Sequence, residues 1–237
     1  GNVNAFGETA WSDNGAVASI NGLLMTLDRR VDAALVYRHY PRNYQALGAS
    51  AFGETDGGRN EEGLYMGLEL RPRTGWTVNA YYDVWRHPWL RFQADAPSRG
   101  TEWRLRLTYE KRRRMRAFVE LRQENKEENA FENASAYNFL TPTRLVQLRT
   151  YVSNQVSKAL ELRTRADWGY WDDGVGPQEF GFAVVQDVMV HPIGFPLSFS
   201  TRFALFDTDS YNVRFYYYEN DLLNTFSIPP YYNRGSR

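Results

Sequence analysis

The chain has 237 residues, enough for one large β domain, and its 28 basic and 28 acidic residues balance to a formal net charge of zero. That balance gives no electrostatic case for nucleic-acid binding, so we expect no direct nucleic-acid contact by this segment. The absence of cysteine excludes disulfides and thiolate metal sites, and no run of about 18 apolar residues is present to form a transmembrane helix.

Two-residue alternation of apolar and charged residues recurs along the chain. It is clearest from Trp103 to Tyr109, from Met115 to Arg122 and from Leu160 to Trp168. Successive side chains of an extended strand point to opposite faces, so each such strand has one apolar and one charged face. In chain order the pattern predicts strands over residues 2–12, 16–27, 31–40, 61–71, 76–86, 101–110, 114–124, 143–153, 158–171, 178–190, 195–206 and 211–220.

The predicted connections alternate in length. Tight turns are expected at 27–30, 72–75, 111–113, 154–157 and 192–194, and long loops at 41–60, 87–100 and 125–142. In an up-and-down antiparallel sheet this order places the long loops on one rim and the tight turns on the other. Outer-membrane barrels have this asymmetry, and their strands are also about ten residues long.

The charged face mixes both signs, which lets neighbouring strands pair arginine with a carboxylate. If the apolar face meets lipid, with Leu105 and Leu162 as examples, the charged face lines a lumen. The residues predicted to face this lumen are Arg104, Arg106, Arg116, Glu120, Arg122, Arg163, Arg165 and Asp167.

The alternative interpretation is a soluble or surface-exposed β-sheet binding protein that uses its long-loop rim. It predicts the same alternation, with the apolar face packed inside and the charged face in water. Two features disfavour it. The charged face contains little lysine, and Thr150, Thr164 and Thr201 interrupt the apolar face.

Several short stretches resemble a known family. They are Gly22–Met25, Tyr37–Tyr40, Ala51–Glu54, Asn60–Gly67, Tyr82–Trp85, Pro88–Trp89, Ala96–Gly100, Phe206–Tyr211 and Tyr218–Asp221. Together they resemble the C-terminal outer-membrane β-barrel region of Bacteroidota helix-hairpin-helix, competence-type proteins. The resemblance implies an outer-membrane barrel that follows a small periplasmic domain able to contact DNA.

Few residues indicate catalysis or metal binding. An Asp83 pair with His39 or His87 would suit a hydrolytic site on the rim, but we expect His39, His87 and His191 to be solvated rim residues. We likewise expect Lys111–Arg114 to form a solvated turn, although it could bind anionic headgroups.

Two further loop features have simple explanations. The loop carboxylates Asp172, Asp173, Asp207 and Asp209 could hold Ca²⁺ weakly, but we expect them to be unpaired. We interpret Tyr216–Tyr218 as part of an aromatic girdle at the membrane interface.

The sequence therefore predicts an all-β fold, an antiparallel up-and-down transmembrane β-barrel, in which residues 1–237 form a single domain that lacks strands at both ends. We expect it to lie in the cell outer membrane as a channel or transport component, or as the anchor of a periplasmic module. Its expected partners are outer-membrane lipid and a periplasmic domain of the same polypeptide. We expect no cofactor, no metal and no enzymatic activity.

Overall fold

The computed structural model describes residues 2–46, 48, 50–55, 57–130, 138–219 and 227–237. Almost all regular structure in these residues is β. The strands are β1 (Asn2–Trp11), β2 (Val17–Asp28), β3 (Val31–Tyr40), β4 (Glu61–Arg73), β5 (Trp76–His87), β6 (Ser98–Lys111), β7 (Met115–Asn129), β8 (Leu140–Gln155), β9 (Leu160–Asp172), β10 (Glu179–Val190), β11 (Phe199–Thr208), β12 (Phe215–Tyr216), β13 (Pro230–Tyr231) and β14 (Arg234–Ser236).

One twelve-stranded sheet contains β1 to β11 in chain order, with β14 beside β11. Every neighbouring pair in it is antiparallel, and β12 pairs with β13 in a separate two-stranded sheet. The predicted all-β, up-and-down antiparallel fold is therefore confirmed. Within the described residues, β1 and β14 are the two edges of the large sheet. The described part of the chain contains no helix long and apolar enough to cross a membrane.

Three predicted elements differ from the structure. The predicted strand at 211–220 is wrong, because Tyr211–Val213 forms a 3-10 helix whose N-cap, Ser210, accepts a hydrogen bond from the Asn212 backbone N–H. β7 ends at Asn129 and β8 begins at Leu140, and the two strands pair up to these residues. The polar segment predicted as a loop from residue 125 therefore begins as paired strand. Residues 131–137 of that segment lie outside the described residues. β11 begins at Phe199 instead of 195, which lengthens the preceding turn.

The sheet exposes its apolar face and encloses its charged face. On the apolar face Leu105, Val119 and Phe203 are 46%, 49% and 58% exposed. On the charged face Glu120 and Asp167 are 5% and 2% exposed. A soluble sheet would show the opposite arrangement, because water strongly disfavours a continuous apolar surface.

A small apolar cluster lies on the enclosed face near the end of the chain. The segment after β11 folds back across β9 to β11, where Phe215, Tyr217 and Tyr231 pack with Ala183 and Val185. Gly169 makes room for this segment, since a Cβ there would lie 3.2 Å from the Phe215 ring. We call residues 211–217 together with 230–231 the returning segment.

Candidate functional site: the enclosed charged face

A ladder of ion pairs crosses β6 to β9 on the enclosed face. Glu120 accepts a hydrogen bond from Arg106 Nε at 2.6 Å, and Arg104 and Arg149 lie 3.7 and 3.6 Å from its oxygens. Arg149 Nε also donates to Asp167 at 2.6 Å, so this arginine bridges the two carboxylates. The ladder exists because the strand register places Arg106, Glu120, Arg149 and Asp167 opposite one another in turn.

The remaining residues predicted to face the lumen also lie on this face. Arg165 Nε donates to Asp167 at 2.6 Å, and Arg163 Nε donates to Glu161 at 2.7 Å. Arg122 lies 2.5 Å from Glu102 and 3.1 Å from Glu124. Arg116 is exposed at the tight-turn end of β7 and takes no part in the ladder.

Sequence reasoning missed the charge cluster nearest the long-loop rim. Arg38 is fully buried, its Nε donates to Glu61 at 2.6 Å, and its Nη1 donates to Asp83 at 2.9 Å. Its guanidinium lies across Gly63, where a Cβ would be 2.5 Å from Arg38 Cζ. Because β3 is apolar at most positions on both faces, alternation does not single out Arg38 as an inward residue.

The loop between β3 and β4 enters the space above this cluster. The Glu61 carboxylate accepts hydrogen bonds from the backbone N–H groups of Glu54 at 3.0 Å and Thr55 at 2.9 Å, and from the Thr55 hydroxyl at 2.9 Å. The Phe52 ring packs edge-on against Tyr65, with centroids 5.5 Å apart. We call residues 50–55 the rim loop. One buried carboxylate therefore holds both Arg38 and the rim loop.

Glu54 is the titratable residue of the rim loop, and its pKa is strongly perturbed. Its pKa rises to about 7, first because the surrounding protein desolvates the carboxylate and then because Glu102 and Glu124 repel its charge. The side chain keeps an exposed surface, so bulk water screens part of this effect.

One of the three histidines does not lie where we expected it. His87, predicted to be solvated, is buried on the enclosed face, and its Nδ1–H donates to the Asn60 carbonyl at 2.9 Å. His39 is opposite Glu62 on the exposed face, so the two histidines cannot act on one substrate. Asp83 is bonded to Arg38 rather than to a histidine. The structure therefore does not assemble the hydrolytic pair considered from the sequence.

Two further loop predictions were wrong. The carboxylates predicted to be unpaired have partners: Asp173 accepts from the backbone N–H of Gly176 at 2.7 Å, and Asp207 lies 2.6 Å from Arg234 Nη2. No group of carboxylates or histidines able to hold a metal ion occurs among the described residues. Tyr217, predicted to be a girdle residue, is instead buried in the returning segment and donates to Asp167.

Among the cavities that open onto the enclosed face are two with charged linings. One of about 590 Å³ lies over β1 to β6, and its polar lining includes Glu69, Asn79 and Arg106. The other, about 470 Å³, lies between β7 to β9 and the returning segment, and is lined by Glu124, Lys126 and Trp171 among others. The enclosed face is therefore polar and incompletely filled.

Comparison with known proteins gives few matches. No family model matches the chain, and no curated protein matches it. A solved structure that is similar is OmpTdeltaL8, a loop L8 deletion mutant of OmpT, an outer membrane protein of Vibrio cholerae. The identity is 10%, the match covers 87% of this chain and 91% of that chain, and the TM-score is 0.42. Our prediction that the chain is not an enzyme is not supported by this comparison, which establishes no activity in its place.

Proposed function

We propose that this chain is the membrane-spanning part of an outer-membrane β-barrel protein. The observation that carries the proposal is its reversed polarity: leucine, valine and phenylalanine side chains are exposed while glutamate and aspartate side chains are enclosed. Burial of apolar surface is worth about 25 cal/mol per Å², so a whole face of such residues needs an apolar environment. Outer-membrane lipid is the partner that supplies one.

Strand length supports the same proposal. β1 to β11 contain 10 to 16 residues each, whereas a tilted strand needs about 9 to 11 residues to cross the hydrocarbon core. Lipid also explains why the exposed face has almost no charge between its two ends. We assign the tight-turn rim to the periplasm and the long-loop rim to the cell surface.

Within the membrane we propose a channel role for small polar solutes. In a channel the two cavities would contribute volume to the path of the solute, and the ion-pair ladder would supply fixed charges of both signs. In such a path Arg104, Arg106 and Arg122 would set the local electrostatic potential, because they lie where the enclosed face still has open volume.

Anchoring of a periplasmic module is the second candidate function. The apolar cluster formed by the returning segment favours it, because this cluster fills part of the enclosed face as a protein core would. The resemblance to helix-hairpin-helix proteins suggests a DNA-contacting module for that role. A barrel that serves only as an anchor would pass no ions.

One set of variants tests membrane insertion. Leu105→Arg places a charge on the exposed face and should destabilise a lipid-embedded barrel by about 2–4 kcal/mol if the site is near the midplane. The matched control is Thr108→Arg on the enclosed face of the same strand, where the charge meets no lipid. Heat-modifiable gel mobility and urea unfolding in lipid vesicles report the result. Purification of the wild-type chain as a stable protein without detergent would overturn the proposal.

Conductance measurements distinguish the channel role from the anchor role. Arg106→Leu removes one partner of Glu120 from the path, so we expect altered single-channel conductance and a shift toward cation selectivity in planar bilayers. Arg86→Leu, on the exposed face, is the control and should leave both unchanged. Absence of conductance by the folded wild-type protein would exclude the channel role and leave the anchor.

A further inference from the structure

A cleft at the tight-turn rim contains an unusual excess of positive charge. It has a volume of about 530 Å³, and five cationic side chains line it beside a single carboxylate, that of Glu110. The cations are Lys111, Arg113, Arg114, Arg116 and Lys158. The first three belong to the basic run in the sequence, whereas the sheet supplies Arg116 from β7 and Lys158 from the β8–β9 turn.

Two other cations of the same rim, Arg163 and Arg71, are paired with carboxylates. Arg163 lies 2.7 Å from Glu161, and Arg71 lies 3.4 Å from Glu69 and also contacts Asp32. None of the five cations in the cleft forms an ion pair with a described residue. Like charges held together without counter-ions repel one another, so an anion that enters the cleft gains the attraction of several cations at once.

The turn that presents these cations is both fixed and strained. The Arg114 backbone N–H donates to the Lys111 carbonyl at 3.0 Å, and the Gln155 N–H donates to the Arg114 carbonyl at 2.7 Å. Arg113 has a φ of +57°, in the left-handed region that glycine occupies at low cost. The β4–β5 turn on the same rim uses Gly75 at a φ of +83°. The turn therefore presents a charged side chain from a position where glycine would cost less backbone strain.

We propose that this cleft is a binding site for phosphate groups. Arginine guanidinium groups bind phosphate oxygens through paired hydrogen bonds, and two or more of them converge in this cleft. The phosphate can come from a soluble oxyanion or from a phospholipid headgroup at the tight-turn rim. The site does not depend on the channel role, because it lies on the rim.

Pyrophosphate is the first probe, added to the folded chain in neutral detergent. We expect calorimetric binding that weakens as salt is added. Arg114→Gln combined with Lys158→Gln should weaken it roughly tenfold or more, since both lost charges line the cleft. The control combines Arg29→Gln with Arg73→Gln, which removes two cations from other turns of the same rim. It should change affinity by less than about twofold.

Arg113→Gly provides a second test of the cleft, because this variant should still fold if the other variants fold poorly. Glycine relieves the strained backbone, so this variant should unfold at a higher temperature while it binds pyrophosphate more weakly. An Arg113→Gly protein that is more stable and retains full affinity would show that the side chain has no part in binding.

Nanodiscs distinguish the two sources of phosphate. Native mass spectrometry would count the lipids retained from discs of phosphatidylglycerol or of phosphatidylcholine. If headgroups occupy the cleft, phosphatidylglycerol is retained by the wild type and by the Arg29/Arg73 control, and is lost from the Arg114/Lys158 variant. Pyrophosphate binding without this difference assigns the site to soluble phosphates. Equal behaviour of all the proteins in both experiments would overturn the proposal.

Discussion

The enclosed face is filled in two different ways at the two sides of the sheet, near β3 to β5 and near β9 to β11. Near β3 to β5 the rim loop is held by buried charge, through the bonds of Glu61 to Arg38, Glu54 and Thr55. Near β9 to β11 the returning segment is held mainly by apolar contacts among Phe215, Tyr217 and their neighbours. Charge contacts are directional and depend on protonation, whereas apolar contacts depend on area and volume. The first end can therefore respond to pH, while the second acts as a constant structural element.

The largest expected effect follows from removal of the central cation. Arg38→Met leaves the buried carboxylates of Glu61 and Asp83 without a counter-charge, and should destabilise the fold by about 3–5 kcal/mol. Arg86→Met is the matched control, because Arg86 pairs with Glu62 in an exposed ion pair worth less than about 1 kcal/mol. Urea unfolding in vesicles measures both. Equal losses for the two variants would contradict the central role of Arg38.

The apolar end should respond to loss of volume instead of charge. Phe215→Ala opens a cavity beneath the returning segment and should destabilise it by about 3 kcal/mol. Tyr216→Ala, at the exposed neighbouring position, should have a much smaller effect. The loss at Phe215 should be the same at pH 5 and pH 8, because no titratable group is removed. A strong pH dependence at Phe215 would show that the two ends are coupled.

The smallest expected effect concerns Glu54 in the rim loop. The pKa of its carboxyl is about 7 in the folded chain and has an ordinary value of 4.5, so the folded state binds the proton more tightly. The resulting stabilisation is complete below pH 4.5 and is lost as the pH rises through about 7. We therefore expect the rim loop to dock less firmly at pH 8 than at pH 5.

Glu54→Gln should remove this dependence, because an amide does not titrate. Protease accessibility of the loop between pH 5 and pH 8 compares the variant with the wild type. The control is Glu62→Gln on the exposed face, which should leave the pH dependence of the rim loop unchanged. A rim loop whose accessibility is the same at both pH values in the wild type would exclude Glu54 as the titrating group.

Different parts of the enclosed face were predictable to different degrees. The alternation in β6, β7 and β9 identified Arg106, Glu120 and Asp167 as residues of one face. In the structure Arg106 pairs directly with Glu120, and Arg149 links Glu120 to Asp167. Burial of His87 was not predictable, since it depends on the Asn60 carbonyl at the end of another loop. The twelfth strand was mispredicted because Tyr211–Tyr218 is rich in aromatic residues, which strands and buried segments share.

The sequence by itself determined where most strands lie, how their faces alternate and in which order they connect. These properties follow from a period of two residues and from turn signals, both of which act over short stretches of chain. Only the tertiary structure decided that the charged face is the enclosed one, that Arg38 joins Glu61 across 23 residues, and that Tyr217 reaches Asp167 across 50. Contacts between residues so far apart depend on how the whole sheet curves, which no local pattern encodes.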